Sequence, residues 1–494
     1  MTPGIRASED RLPDPWASEG LDPSPDRVCS AIVDYVFADE KANASAYETA
    51  WLSLMDSVGV ALRALAYPAC TRLLGPWIPG GGVTLGARVL GTRFELDPIK
   101  AAFDTGALIR WLDYNDTWLA AEWAHPSDNL GALLAVADYH NRALSLEGAH
   151  PVTIGRLLEA MIHAYEIQGI LALTNSLNAV GIDHVVYVRV ASAALAARLF
   201  GASRKQVLSA VTGAFADGGS LRVYRHFPNT GSRKSWAAAD ATARGVQLAL
   251  MSLKGEMGYP QVLTTPRWGF NDVVLKGEAL TLARPLRSYV MENILFKVNY
   301  PAEFHGQTAA EAAVVLHPEI RERIDQIERI DIETQRPALR IIDKSGPLRN
   351  PADRDHCLQY IVASALLRGR LVAEDYEDVN ASDPAIDTLR SKMQVTENAE
   401  FTRHYYDSEK RFIGNAIMIR FRDGSTSRRV AVEVPVGHRQ RRAEARPLLW
   451  EKFKQSLSAL PSGRAQALTA FFEPSWQEQT ERSVSELIDL LIPV

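Results

Sequence analysis

From Val28 to about residue 287, apolar residues recur at a spacing near 3.6, the period of a helix that buries one side. Ile32, Val33 and Val36 set the pattern, and Leu52, Leu54, Val58 and Leu62 carry it through 46–65. Further helices are predicted over 98–112, 129–140, 153–174, 184–200 and 235–253, with another running from a Ser203 cap to about Phe215. Gly201 suits the position just past a helix end. The 98–112 helix is small along one face, with Ala101, Ala102, Gly106 and Ala107. The glycines at 80–82 break the pattern. They lack a Gly-Lys-Ser/Thr ending, so they read as a turn and not as a phosphate loop. Residues 1–27, rich in Pro, Asp, Ser and Gly, read as an irregular lead-in.

The texture changes near residue 288. Residues 327–342 alternate in short β-like runs, with Ile330, Ile332, Leu339 and Ile341 as the apolar positions. Residues 353–371 read as a helix that puts His356 and Tyr360 on one face. Residues 415–434 read as a hairpin turning at Asp423-Gly424. From Ala443 the pattern is helical again. The predicted fold class is mainly α: a large all-helical domain (1–287), an inserted smaller α+β domain (288–437) and a C-terminal helical return (438–494).

Composition removes several functions. With 54 basic and 59 acidic residues the net charge is -5, so no overall basic field favours nucleic acid. The three cysteines, Cys29, Cys70 and Cys357, are far apart, which argues against a disulfide framework, a zinc site or an iron–sulfur cluster. No run of about eighteen apolar residues occurs. The start of the chain has no apolar core and carries Glu9, Asp10 and Asp14, which points to a cytoplasmic protein without a membrane span.

Two segments concentrate polar chemistry. Residues 111–129 hold three tryptophans and four carboxylates, with Thr117, His125 and Ser127. If helical, this stretch places Asp113 and Thr117 on one face, and His125 to Asn129 form a turn. The plainer reading is a capped helix end with solvated acids; the functional one is a polar wall at a helix end. Residues 217–235 carry Arg222, Arg225, His226, Arg233 and Lys234 among Gly and Pro. They read either as a solvated loop or as an anion-binding wall facing the next helix's N-terminus. His305, one turn before Thr308, is either a core histidine or a site residue.

The residues from Trp111 to Asn129, from Arg222 to Trp236, from Pro301 to His305 and from Ala352 to Tyr360 closely resemble the MmgE/PrpD family, and the resemblance runs from about residue 28 to the end. It implies an all-helical domain with a smaller α+β lid, and a homodimer. The nearest branch removes water from 2-methylcitrate to give 2-methyl-cis-aconitate in propionate breakdown, with no metal or other cofactor. A related branch decarboxylates cis-aconitate; its catalytic positions carry over to Asp113, Thr117, His125, His184, Lys234 and Tyr360. Its lid histidine does not align cleanly with His305. Two extra residues separate Thr117 from His125, a departure that fits a dehydratase better than a decarboxylase.

A tricarboxylate carries about three negative charges near neutral pH. Arg222, Arg225, His226, Arg233, His305 and His356 are the candidate substrate ligands. Lys234 is the candidate for holding enediolate-like charge. His125 and His184 are the candidate base and acid, in either order, with Asp113 tuning one of them. Thr117 and Tyr360 are candidate hydrogen-bond donors. A tricarboxylate-binding protein without turnover is the non-enzymatic alternative.

Overall fold

The computed structural model describes residues 24–143, 146, 148, 150–226, 228–458 and 460–493. Most of the expected lead-in, residues 1–23, lies outside that set. The protein is mainly α. Its helices include α1 (Arg27–Val36), α2 (Ala44–Ala64), α3 (Pro98–Arg110), α4 (Leu130–Ala143), α5 (Ile154–Thr174), α6 (Val185–Leu199), α7 (Arg204–Ala216), α8 (Arg233–Leu253), α9 (Gln307–Ile320), α10 (Leu358–Arg368), α11 (Arg442–Ser456) and α12 (Val484–Leu491). The predicted ends hold to within a few residues where caps are strong. Asp97 accepts from the amides of Ile99 and Lys100 ahead of Pro98, and Ser203 forms a reciprocal capping box with Gln206. Gly201 takes φ +84°, the left-handed conformation expected after a helix end.

The small residues let helices approach closely. A Cβ on Gly106 would lie 3.0 Å from the Ala239 Cα of α8, and one on Gly131 would lie 2.5 Å from the Ala102 oxygen of α3. Gly131→Ala must therefore push backbone apart. We expect it to cost on the order of 1–3 kcal/mol, read as a lower urea midpoint at unchanged slope.

Four strands form one sheet in the order β2-β1-β3-β4: β1 (Ile327–Thr334), β2 (Met393–Glu397), β3 (Asn415–Phe421) and β4 (Val430–Val432). The expected hairpin is β3 and β4, paired antiparallel with Ile417 opposite Val430. Gly424 sits in its turn at φ +81°. β2 pairs parallel with β1 and had no clear signal in sequence. The buried side chains form two main cores. One draws on residues from Cys29 to Val298, on Ala373, and again from Val436 to Leu491; the other runs from Ala302 to Val430. No helix among the described residues is long and apolar enough to cross a membrane.

Three local expectations fail. α3 ends at Arg110, and residues 111–125 are irregular, held by the bridges Thr117–Leu295 and Trp118–Ala124. Asp113 and Thr117 therefore share no helix face. Asp113 has φ +48°, a left-handed conformation that short polar residues tolerate and that ends the helix. The chain also breaks between Pro351–Arg354 and α10, leaving His356 outside the helix that carries Tyr360. Finally, Leu339 and Ile341 lie in a short helix, Arg336–Ile341, because Gln335 caps it and Pro337 opens it.

Candidate active site

A cavity of about 440 Å³ opens between the helical body and the α+β part. Asp113, Thr117, His125, His184, Arg222, Arg225, His226, His305 and His356 all line it, residues drawn from five separate segments. A larger groove of about 880 Å³ lies beside α1 and is lined by Asp34, Tyr35, His163 and Arg284. None of the candidate catalytic or binding residues lines that groove.

Asp113 is the hub. It is 3% exposed and pairs with Arg110. Lys297 Nζ lies 3.0 Å away and Lys234 Nζ 3.6 Å away. Burial alone would raise its carboxyl, but Arg110, Lys297 and Lys234 outweigh that and hold it well below the ordinary carboxylate range.

The two histidines of the body sit with ring centres 6.0 Å apart. His125 Nδ1 lies 2.7 Å from the Asp116 carbonyl. A carbonyl can only accept, so Nδ1 carries the hydrogen, and the Nε2 lone pair faces Asp113 at 4.0 Å. Burial and the positive charge of Arg110 push the imidazole well below its usual pKa despite Asp113. His184 is opposite in character. Its Nδ1 is 3.0 Å from Asp183, and Asp128 stands 3.9 Å from Nε2. Burial opposes the charged ring, yet these acids outweigh it and raise its pKa. Nε2 of His184 has no hydrogen-bond partner. One cavity thus holds one histidine poised neutral and one poised charged.

The acids of 111–129 mostly organise backbone. Asp116 accepts from the amide and hydroxyl of Ser127 at 3.1 and 2.7 Å. Glu122 accepts from the Asn178 amide at 2.6 Å and stands 3.6 Å from Arg222. Asp183 binds Arg225 as well as His184. Thr117 fixes the wall through paired backbone bonds of 2.8 Å with Leu295.

Three expected site residues stand off the cavity. Lys234, 2% exposed, spends its ammonium on Asp355 at 2.8 Å, His356 at 3.0 Å and Asp113. The Tyr360 hydroxyl donates to the Asp375 carbonyl at 2.6 Å, and its ring stacks on Tyr376. Arg233 lies over the rings of Tyr224 and Trp236. Each is taken up by a neighbour that spacing along the chain cannot reveal.

Among the lining residues not singled out in sequence are five with side chains of functional interest: Arg110, Lys297, Glu303, Arg340 and Tyr405. A signal existed for two of them. Arg110 and Lys297 are lone cations inside apolar runs, Leu108 to Leu112 and Ile294 to Val298, where a charge needs a buried partner. Among the described residues, Asp113, Asp355 and His356 offer ligand atoms within 4.8 Å of one another. Lys234 Nζ lies within 3.6 Å of all three, so the chain's own ammonium fills the place a metal cation would take.

Comparison with known proteins decides the family. The MmgE/PrpD N-terminal domain model matches residues 29–283 and the C-terminal domain model matches residues 300–476. The chain belongs to the MmgE/PrpD family. Among its MmgE/PrpD relatives, the 2-methylcitrate dehydratase of Cupriavidus necator is 55% identical, over 91% of this chain and 93% of its own. That of Salmonella typhimurium is 53% identical, over 95% and 98%. The mitochondrial 2-methylcitrate dehydratase of Yarrowia lipolytica is 49% identical, over 95% and 91%. The two MmgE/PrpD domain models leave residues 284–299 unmatched between them, the stretch that delivers Lys297 to the cavity.

Proposed function

We propose that this protein is a hydro-lyase that eliminates water from 2-methylcitrate to give 2-methyl-cis-aconitate. The observation that carries the reading is the opposed pair His125 and His184 inside a cation-lined cavity. An elimination needs one group to take a proton and another to give one, and environments that push two pKa values apart supply both. Neutral His125 takes the proton beside the substrate carboxylate at Nε2, and the imidazolium then faces Asp113. Protonated His184 gives its Nε2 proton to the departing hydroxide, so water leaves.

Arg222, Arg225, His226 and His356 bind the carboxylates, while His305, whose two ring nitrogens face Glu303 and Tyr405, lines the cavity beside them. Lys297, which lines the cavity, meets the enediolate-like charge that sequence reasoning assigned to Lys234. Lys234 acts by holding Asp113, Asp355 and His356 in place. Thr117 fixes the wall, Tyr360 steadies α10, and Arg233 supports the basic segment.

The proposed organisation is a helical domain over 1–287, an α+β lid over 288–437 and a helical return over 438–494. The separate packing of the two cores supports it, with a seam between Val298 and Ala302. Closure of the lid would exclude water from the reaction. In keeping with its family, the working form is a homodimer, which light scattering reads directly.

The test is ultraviolet absorbance from unsaturated product when 2-methylcitrate is added, with citrate run beside it. Itaconate or CO2 from cis-aconitate, with no product from 2-methylcitrate, would replace this reading with a decarboxylase. Binding without turnover would leave a tricarboxylate-binding protein. We also expect activity to survive a chelator, since, among the described residues, Lys234 fills the position between Asp113, Asp355 and His356 that a metal cation would take; loss restored by added metal would overturn that.

A further inference from the structure

Tyr405 lies on the helix Ala399–Tyr406 of the α+β part and lines the cavity opposite the helical body. Its hydroxyl has two neighbours. The Trp123 indole N–H, from the body, donates to it at 3.1 Å. His305 Nε2 lies 3.1 Å away, with the two rings stacked at 5.5 Å. The other His305 nitrogen, Nδ1, faces both oxygens of Glu303 at 2.8 and 3.0 Å and so carries a hydrogen.

A phenol has one hydrogen to donate and two lone pairs to accept with. Trp123 can only donate, so it takes one lone pair. The protonation of His305 decides the rest. With neutral His305, the Tyr405 hydrogen points to Nε2, and the phenol shows the cavity only a lone pair. With protonated His305, Nε2–H takes the second lone pair, and the Tyr405 hydrogen is free to turn into the cavity. A carboxylate can only accept, so an anionic ligand selects the second arrangement.

We propose that Glu303, His305 and Tyr405 form a proton-linked donor: His305 takes one proton from solvent as the tricarboxylate enters, and this frees the Tyr405 O–H to bond a substrate oxygen. The idea rests on the tricarboxylate reading of the cavity. Tyr405 is thereby a substrate-binding residue of the lid. Because Trp123 comes from the body, the same hydroxyl also joins substrate binding to the contact between the two parts. The charged and titratable groups around the unit are Glu303 on the same turn as His305, Lys297 and His356 beyond Glu303, and Tyr406 and Arg411 beside Tyr405. Glu303 is held down to about 2: burial would raise it, but His305, His356 and Lys297 prevail, so it is an anion throughout the working range.

The sign follows from proton uptake. Because one proton is taken up together with the ligand, binding weakens as pH rises. Substrate ionisation acts in the opposite direction, since carboxyls become more anionic as pH rises. The test is the steady-state pH dependence of KM for 2-methylcitrate in the full-length protein and in two variants, Tyr405→Phe and His305→Asn. Tyr405→Phe keeps the ring stacked on His305 and removes only the oxygen. We expect it to raise KM about tenfold with kcat within about threefold, and to abolish the rise of KM with pH. His305→Asn should behave alike, and the double variant should be no worse than either single one, because all three changes break one unit. A Tyr405→Phe protein with wild-type KM and wild-type pH dependence overturns the proposal while leaving the dehydratase reading intact. Wild-type protein that does not turn over 2-methylcitrate overturns both.

Discussion

His125→Asn is expected to lower kcat for water elimination by about 10²- to 10⁴-fold, the span associated with a positioned general base, while the protein stays folded. The asparagine amide can still donate to the Asp116 carbonyl, which His125 reaches at 2.7 Å. What it lacks is a basic nitrogen facing Asp113. His184→Asn is expected to cost a similar factor through loss of the acid.

The pH profile separates the two roles. In the proposed assignment His125 works when neutral, and its pKa is depressed below the ordinary 6.5, so kcat/KM should rise with pH on the acid side of that value. His184, as the proposed acid, works when protonated, and its pKa is raised above 6.5, so kcat/KM should fall on the alkaline side. The result is a bell bounded by the depressed pKa of His125 and the raised pKa of His184. His184→Asn should remove the alkaline limb from its residual rate, and His125→Asn the acid limb. An alkaline limb that persists unchanged in His184→Asn would falsify the assignment.

The second large effect is on stability. Asp113→Asn should destabilise the fold by about 3–5 kcal/mol, the usual cost of removing one partner from a buried ion pair. Asparagine tolerates the left-handed φ of +48° nearly as well as aspartate, so the backbone is not the cause. The cause is that Arg110, Lys234 and Lys297 lose their common anion in a buried setting.

The dependence on pH has a definite sign. Asp113's folded pKa lies below its ordinary 3.8, so its stabilisation is complete above 3.8 and disappears as pH falls through the folded value. The gap between the two proteins in urea midpoint should therefore be full at pH 7 and close in strong acid. A variant as stable as wild type at pH 7 would show that the three cations find other partners, and the hub reading would be wrong.

Much of this was legible along the chain because it is local. Periodicity, the Asp97 and Ser203 caps and the Asp-Gly turn are written in neighbouring residues, and each appears in the structure. Nine of the twelve candidate site residues reach one cavity, because the two chemistry-rich segments, His184 at the start of α6 and the two isolated histidines of the α+β part face it together. What failed depended on distant partners. Lys234 looked free until Asp355 and His356 met its ammonium from 121 and 122 residues away. Tyr405 gave no local sign at all, since its neighbours Trp123 and His305 lie far off in sequence.

The amino-acid sequence by itself determined the mainly helical class, the change of texture near residue 288, the family resemblance and the collection of histidines and cations that an anion site requires. Only the tertiary structure decided what each of those groups does. Asp116, Asp128 and Asp183 are alike as residues, yet two of them flank His184 while the third orders the Ser127 turn beside a neutral His125. Charge in a buried cavity is set by which groups stand within a few ångströms, and that distance exists only once the chain has folded.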